Sequence, residues 1–150
     1  MREEINQALK EAMKSRDPMR TGTLRMVSAA IKDRDILARG EGKGAPDDAA
    51  LAAVLAKMVK QREESAKAFQ DGGRAELAEK ERAEIEIIRA FMPKQMSEEA
   101  VSAAVRAAIA EAGATSARDM GKVMALLKQR HAGEMDFSRA SAAVKAMLGD

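Results

Sequence analysis

The chain has 150 residues, 46% of them hydrophobic, no cysteine, and a net charge of +2 from 26 basic and 24 acidic residues. This length can bury a core, and the lack of cysteine excludes disulfides, thiol nucleophiles and cysteine-ligated metals. The near balance of charge is not typical of a dedicated nucleic-acid binder, which usually carries a concentrated basic excess.

Membrane and export signals are missing from the sequence pattern. The longest apolar runs are too short to cross a bilayer, so no membrane partner is expected. The first residues, MREEINQALKEAM, include acids and no purely apolar stretch. That pattern is not typical of a signal or transit peptide. We therefore expect a cytoplasmic protein.

The amino-acid composition predicts an all-α fold. There are three Phe, no Trp or Tyr, and 11 Met, whereas β-sheet proteins are rich in aromatic and β-branched residues. Ala, Leu, Met, Glu, Lys and Arg dominate, and all of them favour helices. The scarcity of aromatic residues also argues against binding of single-stranded nucleic acid by base stacking.

Four helices are predicted before Pro93. Apolar residues recur at helical spacing, and Asp17-Pro18, the loop 40–46, Gly72-Gly73 and Pro93 separate the segments. The predicted helices cover about residues 2–15, 21–38, 47–72 and 74–91, and Asp47 is expected to cap the third. Met13 and Leu77 are placed on inward faces. The charged run AEKERAEIE in the fourth helix is predicted to be a solvated face.

Three shorter helices are predicted after Pro93. Ser97 is expected to cap the first of them, which Gly113 ends. The second begins near Ser116 and the third near Asp136, which is expected to cap it. The change in helix length predicts two domains, residues 1–93 and 94–150, joined by a hinge at the Pro93 to Ser97 link.

No catalytic centre is visible in the sequence. His131 is the only histidine, which leaves no histidine cluster for a metal. Asp33 and Asp35 face different directions on a helix and do not form an acid/base pair. No phosphate-binding loop, dinucleotide fingerprint or HExxH motif is present. We therefore predict no catalytic residue, no metal site and no cofactor.

The stretch GATSARDMGKVMALLK, residues 113–128, holds a candidate binding motif. Ser116 and Asp119 have the spacing of a capping box, and a glycine at position 121 costs about 1 kcal/mol relative to alanine inside a helix. Such a glycine permits close approach, either by the preceding helix or by a phosphate at the helix start. The positive charges near it are Arg118, Lys122, Lys128 and Arg130.

Three segments carry a family resemblance: TLRMVSAAIKDRDI (23–36), KMVKQREESAKAFQDGGRAELAEKERAEIEIIRAFMPKQMSEEAV (57–101) and GATSARDMGKVMALL (113–127). In this order and spacing they resemble the GatB/YqeY family, and in particular its free-standing YqeY-like members. The resemblance implies an all-α protein with a multi-helix N-terminal domain and a small helical tail. The tail is similar to the C-terminal domain of the B subunit of the tRNA-dependent Asp/Glu amidotransferase, which contacts the tRNA elbow.

The resemblance implies a tRNA-interacting accessory protein without its own catalytic centre, because the amidotransferase cradle has no counterpart in 150 residues. Its expected partners are tRNA and an aminoacyl-tRNA synthetase or amidotransferase complex. Two alternatives stay open: a contribution to carbon–nitrogen ligase activity with glutamine as amide donor, and a protein–protein adaptor that uses the fourth helix. The expected RNA-binding residues are Arg118, Gly121, Lys122, Lys128 and Arg130.

One loop departs from the family pattern. The connection before the last helix commonly reads G-R-A-D-G-K in relatives, whereas this chain has GEMDFS over residues 133–138. Glu134 replaces the usual Arg and Ser138 the usual Lys, so this chain lacks the cations with which the loop would contact RNA in relatives. Phe137, in place of the second Gly, is predicted to join the core of the tail.

Overall fold

The computed structural model describes residues 1–149, and within that range it contains seven α-helices, one 3₁₀ turn and no strand. The 3₁₀ turn is Ala117–Asp119. The all-α prediction is confirmed. The α-helices are α1 (Arg2–Lys14), α2 (Pro18–Gly40), α3 (Asp48–Asp71), α4 (Ala75–Arg89), α5 (Glu98–Ala112), α6 (Met120–Arg130) and α7 (Phe137–Leu148).

The chain divides into two compact units, one of Met1–Met92 and one that begins at Pro93. We call them the N-terminal unit and the tail unit. No helix within residues 1–149 is both long and apolar enough to cross a membrane.

The helix α2 starts one turn earlier than the sequence pattern indicated. Asp17 ends the preceding turn in an extended conformation, and its side chain accepts a hydrogen bond from the N–H of Arg20. Pro18 is the first residue of the helix, a position that needs no N–H donor and suits the fixed φ of proline. The Asp17-Pro18 pair therefore separates α1 from α2 and also starts α2.

The core of the N-terminal unit is built from large aliphatic side chains. The pairing of α3 with α4, across the turn at Gly72 and Gly73, and the packing of α2 on α1, α3 and α4 enclose them. Leu77 and Met13, predicted to face inward, are exposed. The buried cluster consists of Ile5, Val27, Ile31, Leu51, Leu55, Met58, Val59, Ile85 and Ile88.

A buried ion pair joins α3 to α4. The Nε of Arg62 donates to Glu84 Oε2 at 3.0 Å, and these side chains are only 13% and 11% exposed. The Nη1 of Arg62 also donates to the carbonyl of Met58 at 3.2 Å. Glu84 lies in the charged run that was predicted to be fully solvated, so that prediction is wrong at this position. The guanidinium of Arg62 draws the carboxylate into the interface.

The tail unit is a three-helix arrangement of α5, α6 and α7, each in contact with the other two. Its helix ends follow the predicted chemistry: Ser97 Oγ accepts from the Ala100 N–H at 3.1 Å, and Asp136 Oδ1 accepts from the Ser138 N–H at 2.8 Å. Gly113 ends α5 with a φ of 63°. Phe137 is half-buried against the core, as predicted. The buried residues are Val105, Ala108, Val123, Leu127, Met135, Ala140 and Val144.

Candidate nucleic-acid interface

The start of α6 differs from the predicted capping box. The 3₁₀ turn Ala117–Asp119 precedes the helix, and Ser116 makes no side-chain cap. Asp119 Oδ2 instead accepts a hydrogen bond from the N–H of Thr115 at 3.0 Å. The capping-box prediction is therefore wrong, because the Ser116 side chain caps nothing and the Asp119 carboxylate reaches back to the N–H of Thr115 as its main partner.

The Asp119 carboxylate is held in its ionised form. The backbone N–H of Thr115 lowers its pKa, burial opposes this, and the N–H of Ser116 and the positive charge of Lys122 lower the pKa further. The carboxylate makes no hydrogen bond to the first turn of α6 itself. An incoming phosphate would therefore meet the charge of Lys122 together with the opposing charge of Asp119.

Gly121 is the second residue of α6 and is exposed. A Cβ atom built at this position would meet no atom within 4 Å, apart from its own helix backbone and chain neighbours. Close packing of α5 against this glycine is therefore excluded as its explanation. The position lies in the first turn of α6, just after a 3₁₀ turn whose Ala117 carbonyl accepts from the N–H of Met120, and it is exposed.

The predicted cations are not all equally free. Arg118, Lys122 and Lys128 are exposed and take part in no ion pair within residues 1–149. Arg130, in contrast, donates to the carboxylate of Glu111 on α5. Its charge is compensated inside the tail unit, and sequence reasoning missed this pair because it depends on how two helices pack.

The structure brings two of the predicted residues together and separates the others. Arg118 lies in the 3₁₀ turn, about one turn before Lys122. Lys128 follows Lys122 by six residues, which places it about 120° around the helix axis and about 9 Å along it. The cations therefore form a pair at the start of α6 and a separate position, Lys128, near its end.

The loop after α6 is tied down by hydrogen bonds and is not a cationic loop. His131 Nδ1 lies 3.0 Å from Glu134 Oε2, a contact that the sequence analysis missed. The carbonyl of Glu134 accepts from the Met96 N–H at 2.8 Å, and the carbonyl of Gly133 accepts from Gln95 Nε2 at 2.7 Å. In this chain, Glu134 thus serves the internal structure of the tail unit.

The described part of the chain contains no group of three or more His, Asp or Glu side chains that could hold a metal ion. A surface depression lies between α3 and α4 in the N-terminal unit, away from the predicted cations in sequence. It is shallow, with a volume of about 200 Å³, and Glu63, Lys67 and Arg82 are among the residues that line it. The exposed cations of α6 remain the candidate site.

Curated relatives share part of this chain. It is 36% identical over 88 residues to "Altered inheritance of mitochondria protein 41, mitochondrial" of Eremothecium gossypii, a match that covers 59% of this chain and 46% of the relative. The protein of the same name in Clavispora lusitaniae is 42% identical over 84 residues, 56% of this chain and 46% of the relative. The Saccharomyces cerevisiae protein of this name is 32% identical over 84 residues, which are 56% of this chain and 44% of the relative. The chain spans about half the length of the curated relatives it matches.

The prediction of a cytoplasmic protein is contradicted by these relatives, which are named as mitochondrial proteins. That prediction was based on the composition of the N-terminal residues. Because the matches cover less than half of each relative, the composition of the shared region does not report the compartment.

A family model matches more of the chain than these relatives do. A family model described as Yqey-like protein covers residues 2–148. This span includes both the N-terminal unit and the tail unit. The chain therefore belongs to the family of YqeY-like proteins.

Proposed function

We propose that this protein is a tRNA-binding accessory factor, related to the tRNA-contacting tail of the glutamine-dependent amidotransferase and without a catalytic centre of its own. The observation that carries the proposal is the set of exposed cations on the tail unit, Arg118, Lys122 and Lys128. They lie outside every ion pair within residues 1–149.

Exposed lysine and arginine side chains suit contacts to a phosphate backbone. Neutralising phosphates releases counterions, which supplies most of the sequence-independent affinity for nucleic acid. The tail unit has a single aromatic residue, Phe137, and it is half-buried in the core. Stacking on unpaired bases is therefore not expected, and the contacts would follow the shape and backbone of a structured RNA.

The open start of α6 adds to this proposal. Gly121 leaves space beside Lys122, so no side chain at position 121 obstructs the first turn of the helix. The carboxylate of Asp119 opposes the approach of a phosphate. We therefore assign the larger part of the affinity to the side chains of Arg118 and Lys122, and a smaller part to the helix N–H groups.

Binding of unfractionated tRNA, measured as a function of salt, tests the proposal. Lys122→Glu is expected to weaken binding and to reduce the slope of log K against log salt by about one. Lys145→Glu is the matched control, since Lys145 is an exposed lysine of the same unit on α7 and takes part in no ion pair within residues 1–149. Arg130→Ala should have a smaller effect than Lys122→Ala, because Glu111 already compensates Arg130.

Two outcomes would contradict the proposed tRNA binding. One is the absence of tRNA binding at physiological ionic strength. The other is equal loss of affinity in Lys122→Glu and Lys145→Glu, which would mean that only overall charge matters. Transamidation of Glu-tRNA by the purified protein with glutamine and ATP would contradict the statement that it lacks a catalytic centre.

A further inference from the structure

The outward face of α2 exposes an unusual number of large apolar side chains. Seven such side chains are exposed within residues 1–149, and four of them lie on this helix. Their exposed fractions are 41% for Met19, 42% for Met26, 55% for Ile36 and 57% for Leu37. Exposed apolar residues that cluster on one element are typical of a surface that binds another protein.

These residues follow the helical repeat along the whole of α2. Positions seven apart lie about 20° from each other around a helix axis and about 10.5 Å apart along it. Met19 and Met26 form one such series, and Gly22, Ala29 and Ile36 form a second series beside it. We call this stripe the outer seam of α2. A Cβ at Gly22 would meet nothing within 4 Å, so the seam is open.

A row of positive charges borders one edge of the outer seam. Arg25, Lys32 and Arg39 repeat every seven residues, and all three are exposed. None belongs to an ion pair in the described part of the chain. The opposite edge carries Ala30 and Leu37, and the two charges near it, Arg34 and Arg62, are only partly exposed. The seam is therefore apolar in the middle and positively charged along one side.

We propose that the outer seam of α2 binds an amphipathic helix of another protein, one that carries a row of Glu or Asp along a single edge. Charge rows that flank an apolar seam select partner and orientation in helix pairs. The two exposed methionines suit such a surface because their flexible side chains adapt to a partner. Asp33, exposed within the seam, adds one requirement: the bound helix has a Lys or Arg facing it, which fixes the register.

A second copy of this chain does not fit the same surface. In an antiparallel pair, the basic rows of the two copies would face each other. In a parallel pair, Asp33 would face Asp33, and each basic row would face the edge with Ala30, Leu37 and the half-buried Arg34, which offers no acidic group. Both arrangements leave like charges opposed or unpaired, so charge complementarity favours an acidic partner.

RNA is also a poorer fit for this face than an acidic helix. A phosphate backbone would pair with Arg25, Lys32 and Arg39 but would leave Met26 and Ile36 facing a polar surface. Protein interfaces are enriched in Met and Arg. The apolar seam beside the basic row is thus used by a protein helix and not by a nucleic acid.

Two synthetic helical peptides of the length of α2 test the proposal with the full chain. Both carry a leucine seam with one central Lys; the first has Glu along one edge and the second has Lys there. We expect the Glu peptide to bind about tenfold more tightly at low ionic strength. The combined variant Arg25→Glu, Lys32→Glu, Arg39→Glu should reverse this preference, because it reverses the sign of the whole row.

Two further variants separate the seam from general charge effects. Ile36→Asp should weaken the binding of both peptides, since it places a charge in the apolar seam. The control Lys10→Glu, Lys57→Glu, Lys60→Glu has the same change in net charge, uses exposed lysines of α1 and α3, and should keep the preference for the Glu peptide. Circular dichroism establishes that each variant is folded.

Three results would overturn the proposal. The first is a difference of less than about twofold between the affinities of the two peptides, which would mean that the charge row has no measurable effect on binding. The second is a dimer of the wild-type chain that Ile36→Asp dissociates, which would make the seam a self-association surface. The third is loss of tRNA binding in the row-reversal variant without any difference between peptides, which would make the row an RNA contact. All three leave the test of Lys122 in the tail unit unaffected.

Discussion

Different kinds of contact stabilise the interior of each of the two units of this protein. The N-terminal unit uses long helices, large aliphatic side chains and an ion pair, Arg62–Glu84, buried between α3 and α4. The tail unit uses short helices, a core of mostly smaller side chains, and hydrogen bonds that loop carbonyls accept. Net charge conceals this difference, because each unit has nearly equal numbers of acidic and basic residues. What differs is where the charges are paired.

The largest effect is expected from a substitution that breaks the buried Arg62–Glu84 ion pair of the N-terminal unit. Glu84→Ala leaves the guanidinium of Arg62 buried without its carboxylate, and we expect a loss of about 3 kcal/mol of unfolding free energy. Urea unfolding measures the loss, and hydrogen exchange locates it in α3 and α4. Arg89→Ala, which removes the exposed pairs with Glu63 and Glu86, is the control and should cost less than about 1 kcal/mol. Equal effects of the two variants would contradict the difference in burial.

The second prediction compares equivalent helix caps in the two units. Asp47 Oδ1 accepts from the Ala50 N–H at 2.9 Å, and Ser97 Oγ accepts from the Ala100 N–H at 3.1 Å. Replacing either residue by Ala should cost about 1 kcal/mol. Hydrogen exchange should place the first loss in α3 and the second in α5. A cost confined to one unit would mean that the caps are not equivalent.

The third prediction concerns Gly121. Alanine fits the open space at this position, and the helix should gain about 0.5 kcal/mol in stability, measured as a rise in the urea midpoint of the tail unit. Gly22→Ala on α2, an equally open helical glycine, should gain a similar amount in the N-terminal unit. If a phosphate uses the space beside Lys122, only Gly121→Ala also weakens tRNA binding. A loss of stability would mean that an atom does approach the glycine.

The smallest effect is expected for the salt dependence of two lowered pKa values, those of the carboxylates of Asp35 and Asp119. Hydrogen bonding from Arg2, on α1, lowers the pKa of Asp35, burial opposes this, and the charges of Arg2, Arg39 and Arg34 add to the lowering. Both Asp35 and Asp119 stabilise the folded state above their ordinary pKa of 3.8, and this stabilisation is lost as the pH falls through the lower folded pKa.

Carbon-detected NMR titration at low and high salt distinguishes a pKa lowered by a charged side chain, as at Asp35, from one lowered by a backbone N–H, as at Asp119. Salt screens exposed charges, so the pKa of Asp35 should rise toward its ordinary value when salt is added. The pKa of Asp119 should change less, because a backbone N–H is its main partner. Equal salt responses would contradict this assignment.

Sequence reasoning located the helices because their ends depend on neighbouring residues. The caps at Asp47, Ser97 and Asp136, and the left-handed Gly113, follow from local side-chain chemistry and are confirmed. The start of α6 is an exception, since the 3₁₀ turn moved the Asp119 carboxylate to Thr115. A spacing pattern cannot distinguish a capping box from this tighter turn.

The rest could not be predicted because it depends on contacts between helices. The charged run of α4 looked uniformly solvated, yet Glu84 is buried through its partner on α3. Arg130 looked like a free cation, yet Glu111 of α5 compensates it. Met13 lies near the end of its helix and Leu77 near the start of its own, where helical periodicity continues but no neighbouring helix covers the side chain. Binding of RNA by Arg118, Lys122 and Lys128 stays a prediction.

The hydrogen bonds of Gln95 and Met96 to the 133–134 loop have a mechanical consequence. They clip the first residues of the tail unit onto a loop that is far away in sequence. A pull transmitted along the chain to Pro93 would be borne first by these two bonds, before it reached α5. The stiffness of the tail unit toward such a force would therefore depend on Gly133 and Glu134, and a fragment that started at Ser97 would lose the clip entirely.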